Sequence, residues 1–159
     1  MEMTFTVEKV EGRDKVNFVG DLNEDSEIQL NNLAGSLGSK LIFNLRGITS
    51  VNSCGVRAWI NFMRTAEKGR EVIFEECPPE IVSQINMIPS FKGNAKVRSV
   101  YAGYACDHCN NEQWKLFEDG RNMPSDSDSE VEELKCPKCG EVMEMDELEE
   151  EFFSWLDAS

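Results

Sequence analysis

Leu41-Ile42-Phe43-Asn44-Leu45 runs through Arg46-Gly47-Ile48-Thr49-Ser50-Val51 into Asn52-Ser53-Cys54-Gly55-Val56. The first five residues are mostly apolar without alternation, the pattern of a strand covered on both faces. Arg46 to Val51 reads as a short loop, and Asn52-Ser53 as a polar turn of the kind that opens a helix. Val56, Trp59, Ile60 and Met63 then recur at helical spacing, with Gly69 as the stop. A buried strand leading directly into an amphipathic helix is the repeating unit of an α/β sheet.

The flanking sequence extends that unit in both directions. Thr4–Val10 alternates apolar and polar residues, Glu11-Gly12-Arg13-Asp14 is turn-prone, and Lys15–Leu22 is strand-like, which predicts an opening hairpin. Leu30, Leu33, Ala34 and Leu37 mark a first helix, with Asp25 or Ser26 as cap and Gly38 as stop. After the second helix, Glu71–Glu76 reads as a strand, and Pro78-Pro79 opens a third helix through Ile81, Ile85 and Ile88. Val97–Ala105 reads as a closing strand. The order ββαβαβαβ predicts an α/β fold, a mixed sheet with helices packed on it. With 159 residues, 40% of them hydrophobic and nine of them Phe, the chain can fill one such core and carry a small appendage.

Charge separates the two parts. Residues 1–105 hold 12 basic and 13 acidic side chains, residues 106–159 hold 4 and 17. A segment at −13 repels phosphate, which excludes nucleic acid and anionic membrane surfaces as partners of the tail. The sequence has no apolar run of about 18 residues and no basic-then-apolar start, which predicts a cytoplasmic protein without membrane insertion. Glu118–Glu133, with Asp126-Ser127-Asp128-Ser129-Glu130 at its centre, predicts a solvated, mobile acidic loop. A recognition tail for a basic partner is the alternative.

Cys106-Asp107-His108-Cys109 and Cys136-Pro137-Lys138-Cys139 stand 26 residues apart. Two C-x-x-C turns can close a tetrahedron of thiolates around Zn²⁺, so Cys106, Cys109, Cys136 and Cys139 are the expected ligands. Asn110 and Gly140, behind the two pairs, suit the left-handed backbone that aims N–H groups at sulfur. Trp114, Leu116 and Phe117 after one turn, and Val142 and Met143 after the other, would form short strands. That is the plan of a zinc ribbon. Disulfides, a redox-active pair and an iron–sulfur cluster are the alternatives. Four cysteines fill the shell, so the zinc would be structural and His108 a surface residue. Beyond it, Met145, Leu148, Phe152, Trp155 and Leu156 predict an amphipathic C-terminal helix with Asp146 and Glu149 near its start. It would dock on its own domain or on a partner.

The run from Leu41 to Val56 resembles the signature of the STAS domain, found in anti-sigma-factor antagonists and in transporter-associated domains. In that family a hydrophobic strand leads to an Asp-Ser-Ser-Gly-Leu-like turn at a helix N-terminus; the turn here reads Asn52-Ser53-Cys54-Gly55-Val56. Phe18-Val19-Gly20-Asp21-Leu22-Asn23 is similar to the family's second strand and following turn, and the element order agrees to about residue 103. The resemblance implies a STAS-like domain over residues 1–103. Residues 104–159 would add the zinc ribbon, the acidic loop at 118–133 and the terminal helix.

It also implies a function. In regulatory members the first Ser of the turn is phosphorylated by a partner kinase that is also an anti-sigma factor, a position held here by Ser53. Asn23, Asn52, Ser53, Cys54, Gly55 and Val56 would then form the partner-binding surface of a non-enzymatic signalling phosphoprotein. Where regulators place Asp, this chain has Asn52 and Asn23, and Cys54 replaces the second Ser of the turn. Three other readings stand beside it. Ser53 is only a helix cap, or the protein is a constitutive STAS subunit of a transport or other complex, or Cys54 is the nucleophile of a thiol enzyme. The sole His is in the zinc turn, so a Cys–His pair would have to span two modules. Cys77 reads as a small buried apolar residue.

Overall fold

The computed structural model describes residues 1–157. Ala158 and Ser159 lie outside the described residues. The expected hairpin is present: β1 (Thr4–Val10) pairs antiparallel with β2 (Arg13–Leu22). The chain then alternates α1 (Ser26–Ala34), β3 (Lys40–Val51), α2 (Ser53–Ala66), β4 (Glu71–Glu75), α3 (Pro79–Met87), α4 (Pro89–Lys92) and β5 (Lys96–Val97). The first sheet has the order β1-β2-β3-β4-β5, antiparallel at the hairpin and parallel thereafter. It is the mixed sheet with packed helices that the sequence predicts.

One face of this sheet carries the core. Val16, Phe43 and Phe74 are register neighbours on β2, β3 and β4. With Phe18 they meet Trp59 and Phe62 of α2 and Phe91 of α4; the Phe18 and Phe43 rings stand 5.4 Å apart, edge to face. Buried indole N–H groups need an acceptor, and Trp59 Nε1 donates to the Phe91 carbonyl at 3.0 Å. The opposite face mixes the buried Ile42 with polar side chains. Asn17, Asn44 and Glu75 are aligned across three strands, and the buried Glu75 carboxylate accepts from Asn44 at 2.8 Å and pairs with Lys15 at 2.9 Å and with Arg98.

Several boundaries differ from the expectation. Arg46 to Val51 is not a loop but the continuation of β3, because Gly47 to Val51 keep pairing with β2 through two register shifts. α1 stops at Gly35, three residues before Gly38. The closing strand Val97–Ala105 divides at Arg98. β5 ends the first sheet, and β6 (Ser99–Ala105) begins a second one with β7 (Glu112–Glu118), β8 (Leu134–Lys135) and β9 (Val142–Met145), in the order β7-β6-β9-β8. The two sheets are stitched together at this point: Cys77, just beyond β4, donates its N–H to Ser99 at 3.1 Å and accepts from the Tyr101 N–H at 2.7 Å. A boundary at residues 103 and 104 therefore falls inside β6.

The terminal helix is shorter than its apolar pattern suggests. A single α-turn, α5 (Glu149–Phe152), passes into a 3₁₀ turn, Ser154–Asp157. Phe152 and Phe153 are buried, and Asn86 of α3 ties this segment down by donating to the Glu151 and Phe152 carbonyls and accepting from Ser154 Oγ and Trp155 N. The segment thus docks on its own chain. The acidic loop is largely exposed, yet Pro124 is buried, and both the hydroxyl and the N–H of Ser127 bond to Asp157.

Candidate functional site

The Ser53 turn sits where β3 ends and α2 begins. A helix start leaves unpaired N–H groups, and the residue that answers them is Asn52: its Oδ1 accepts from Gly55 N at 2.9 Å. Ser53 is the first residue of the helix proper. It is exposed, and among the described residues its hydroxyl makes no hydrogen bond. The reading of Ser53 as only a cap is thereby replaced, since Asn52 holds that place.

Asn52 also explains why an amide stands there. Its Nδ2 donates to Glu24 Oε2 at 2.9 Å, which holds the Glu24 carboxyl below its usual range. An aspartate in its place would set two carboxylates against each other. Negative charge is present at the turn nevertheless, through Glu24 and through Asp21. The Asp21 carboxylate accepts from the N-terminal amine, Thr49 and Ser50 and is held far below the ordinary carboxyl value. Nothing in the spacing of the sequence marks Glu24, because its link to Asn52 spans 28 residues.

The other expected partner-binding residues divide by role. Asn23 shapes the bend before α1: its Oδ1 accepts from Asp25 N and its own N–H donates to Ser26 Oγ, both at 2.9 Å. Gly55 is buried against the β2–α1 turn, where any Cβ would overlap the Leu22 carbonyl and Asn23 N. It permits close approach and offers no side chain to a partner. Val56 is buried but borders a groove of about 620 Å³ between α2 and the α3–α4 corner. Cys54 is exposed in a shallow cleft with Glu24, Glu27 and Arg57, and no imidazole lines that cleft. Cys77 is buried, as expected, and burial pushes its thiol well above the ordinary range.

The four paired cysteines converge. Cys106–Cys109 lies in the turn between β6 and β7, and Cys136–Cys139 in the turn between β8 and β9. The turns are built alike. Cys106 N–H donates to the Asn111 carbonyl and Asn110 N–H to the Cys106 carbonyl; Cys136 N–H donates to Glu141 and Gly140 N–H to Cys136, all at 2.7–2.8 Å. Asn110 (φ 63°) and Gly140 (φ 82°) take the left-handed conformation that closes each turn. All four sulfurs lie within 4.8 Å of one another. Tetrahedral bonds of about 2.3 Å to one ion would set the sulfurs about 3.8 Å apart, close to the 3.5 Å of Cys106–Cys139 and Cys109–Cys136. That separation is also far from the ~2.05 Å of a disulfide. The donor set fits a thiophilic ion, and the cluster could hold one.

No protein-family model and no curated protein sequence matches the chain. Among solved structures, it is similar to the anti-sigma factor antagonist SpoIIAA in its unphosphorylated form. The identity is 20%, the TM-score is 0.41, and the match covers 59% of this chain and 86% of that one.

Proposed function

We propose that this protein is a cytoplasmic, non-enzymatic signalling module of the STAS type that binds a kinase-type anti-sigma factor or similar regulator through the Ser53 turn, and is released when Ser53 is phosphorylated. The observation that carries the reading is the Ser53 hydroxyl: it is exposed at the start of α2 and left free because Asn52 does the capping. Transfer of a phosphoryl group to Ser53 Oγ would place about −1.5 to −2 charge at the helix N-terminus. The dipole and free N–H groups of α2 would stabilise that charge, and a partner seated on the turn would meet it directly. Incubation with the cognate kinase and ATP should add one phosphate, and Ser53→Ala should abolish the gain. An unchanged mass in the unmodified protein would remove the kinase step.

Asn23 and Asn52, both engaged within the protein, favour a second reading, a constitutive subunit that docks by the same turn without modification. Recovery of a stable complex with a membrane transporter and an unphosphorylated Ser53 would select it.

For the tail we propose a structural zinc ribbon held by Cys106, Cys109, Cys136 and Cys139. Zinc bound there supplies a cross-link between two hairpins, since four thiolates leave no position for a reacting water. Metal analysis of the purified protein should return about one zinc per chain.

A further inference from the structure

We propose that the groove beside Ser53 receives an acidic amphipathic helix of the partner, with its apolar face on Val51, Val56, Ile60 and Ile88 and its carboxylates on Arg57 and Arg64. The inference deepens the reading of the Ser53 turn as a docking surface and rests on it.

Charge is the first ground. The chain carries 30 acidic residues and a net charge of −14, yet no acidic side chain lines this groove, whereas Arg57 and Arg64 both do. Both are exposed. Arg13, Arg46, Arg98 and Arg121 are each paired with a glutamate, and Arg70 donates to backbone carbonyls. Among the described residues, Arg57 and Arg64 have no ion pair or hydrogen bond. Arg57 also borders the neighbouring cleft that holds Glu24 and Glu27, so Arg64 is the cation committed to the groove alone.

Shape and spacing are the second ground. The floor is aliphatic, and it lies between α2 and the α3–α4 corner, the setting in which amphipathic helices are bound by other proteins. Arg57 and Arg64 are seven residues apart on one helix, about 10.5 Å along its axis and on nearly the same face. A helix lying along α2 presents two carboxylates seven residues apart to these guanidiniums, while its residues three and four positions on turn toward the floor. Carboxylate–guanidinium pairs of this kind are directional as well as attractive.

The same geometry gives the Ser53 turn a means of release. Ser53 and Arg57 are four residues apart on α2, hence neighbours on its surface, and both line the groove. A phosphoryl group on Ser53 would take the Arg57 guanidinium from the partner and face the partner's acids with like charge.

The probe is a fluorescein-labelled helical peptide of about four turns (~14 residues) with leucines on one face and glutamates flanking it. Its twin carries lysines for glutamates. Anisotropy titrations with the full chain at about 0.15 M salt, where the acidic tail is screened, should show tighter binding of the acidic peptide. Methyl resonances of Val51, Ile60 and Ile88 should shift with it. Arg57→Glu with Arg64→Glu should weaken the acidic peptide at least tenfold and turn the preference toward the lysine peptide, an inversion that a merely damaged fold does not produce. Should the double reversal fail to fold, Arg57→Gln with Arg64→Gln replaces it and should weaken the acidic peptide alone. Equal binding of both peptides, shifts confined to other surfaces, or a groove filled by a second copy of the chain in sedimentation would overturn the proposal. Failure of the kinase assay with success here removes only the phosphorylation step, and the reverse result removes only the acidic helix.

Discussion

Gly55 N–H donates to Asn52 and leaves the neighbouring serine hydroxyl free, so the two side chains have separable energetic signatures. Asn52→Ala should cost about 1 kcal/mol, the usual worth of an N-cap. Ser53→Ala should fall within about 0.5 kcal/mol of the parent, as for an exposed side chain without a partner. Urea denaturation of the pair would decide it, and a Ser53→Ala loss as large as that of Asn52→Ala would return the cap to Ser53. Glu75 gives a second prediction at this scale. Burial works to raise its carboxyl, but hydrogen bonds from Asn44, Lys15 and Arg98 outweigh that and hold it below the usual range. A carboxyl with a lower value folded than unfolded adds stability above about pH 4.3, its ordinary value, and loses that stability as the pH falls through the folded value. The acid limb of the stability–pH curve should therefore be shallower in Glu75→Gln, and identical limbs would count against the network.

Whole elements were legible where hydrophobic pattern alone decides them. The hairpin and the three main helices could be read because each puts its apolar side chains on one repeating face, and the buried strand at Leu41 because its unbroken apolar run fits a strand covered on both faces. The stretch from Arg46 to Val51 could not: it pairs with β2 across register shifts, and its exposed polar residues follow no period. The division of Val97–Ala105 at Arg98 was equally hidden, because one strand-like run serves two sheets in turn. At the C-terminus Phe152 of the apolar pattern is buried, but Leu148 of the same pattern is exposed, the buried Phe153 falls outside the pattern, and the helical spacing overstates the helix. Docking on α3 holds the segment as two short turns, with Asn86 satisfying backbone groups that a longer helix would satisfy itself. Phe153 packs edge to face on Phe117 at 5.2 Å and on Phe152 at 4.9 Å. Phe153→Ala should cost about 3–5 kcal/mol, as for other buried aromatic truncations, and limited proteolysis should then cut within residues 146–157. Resistance equal to the parent's would mean that the segment is held by other contacts.

At the scale of the whole molecule, the convergence of Cys106, Cys109, Cys136 and Cys139 was legible, because residue type and spacing are local properties of the sequence. The joint to the first sheet was not, since the bonds from Cys77 to Ser99 and Tyr101 are made between elements. The aromatic cluster of Phe18, Phe43, Trp59 and Phe74 contains no residue of the tail, so we expect it to persist when the proposed metal site is broken. Chelation, or Cys136→Ser, should disorder the second sheet, because binding and folding are coupled in small metal modules. The Trp114 and Trp155 indole resonances should move while that of Trp59 holds its position; simultaneous loss of all three would show one cooperative unit.

Docking of another protein at the start of α2, as proposed above, is open to direct measurement. Hydrogen exchange on the chain, alone and with its kinase-type partner, addresses it most directly. Exchange over residues 52–64 should slow in the complex and return to the free rate once Ser53 carries phosphate. Unchanged exchange over those residues, with protection confined to the four-cysteine sheet, would contradict that docking.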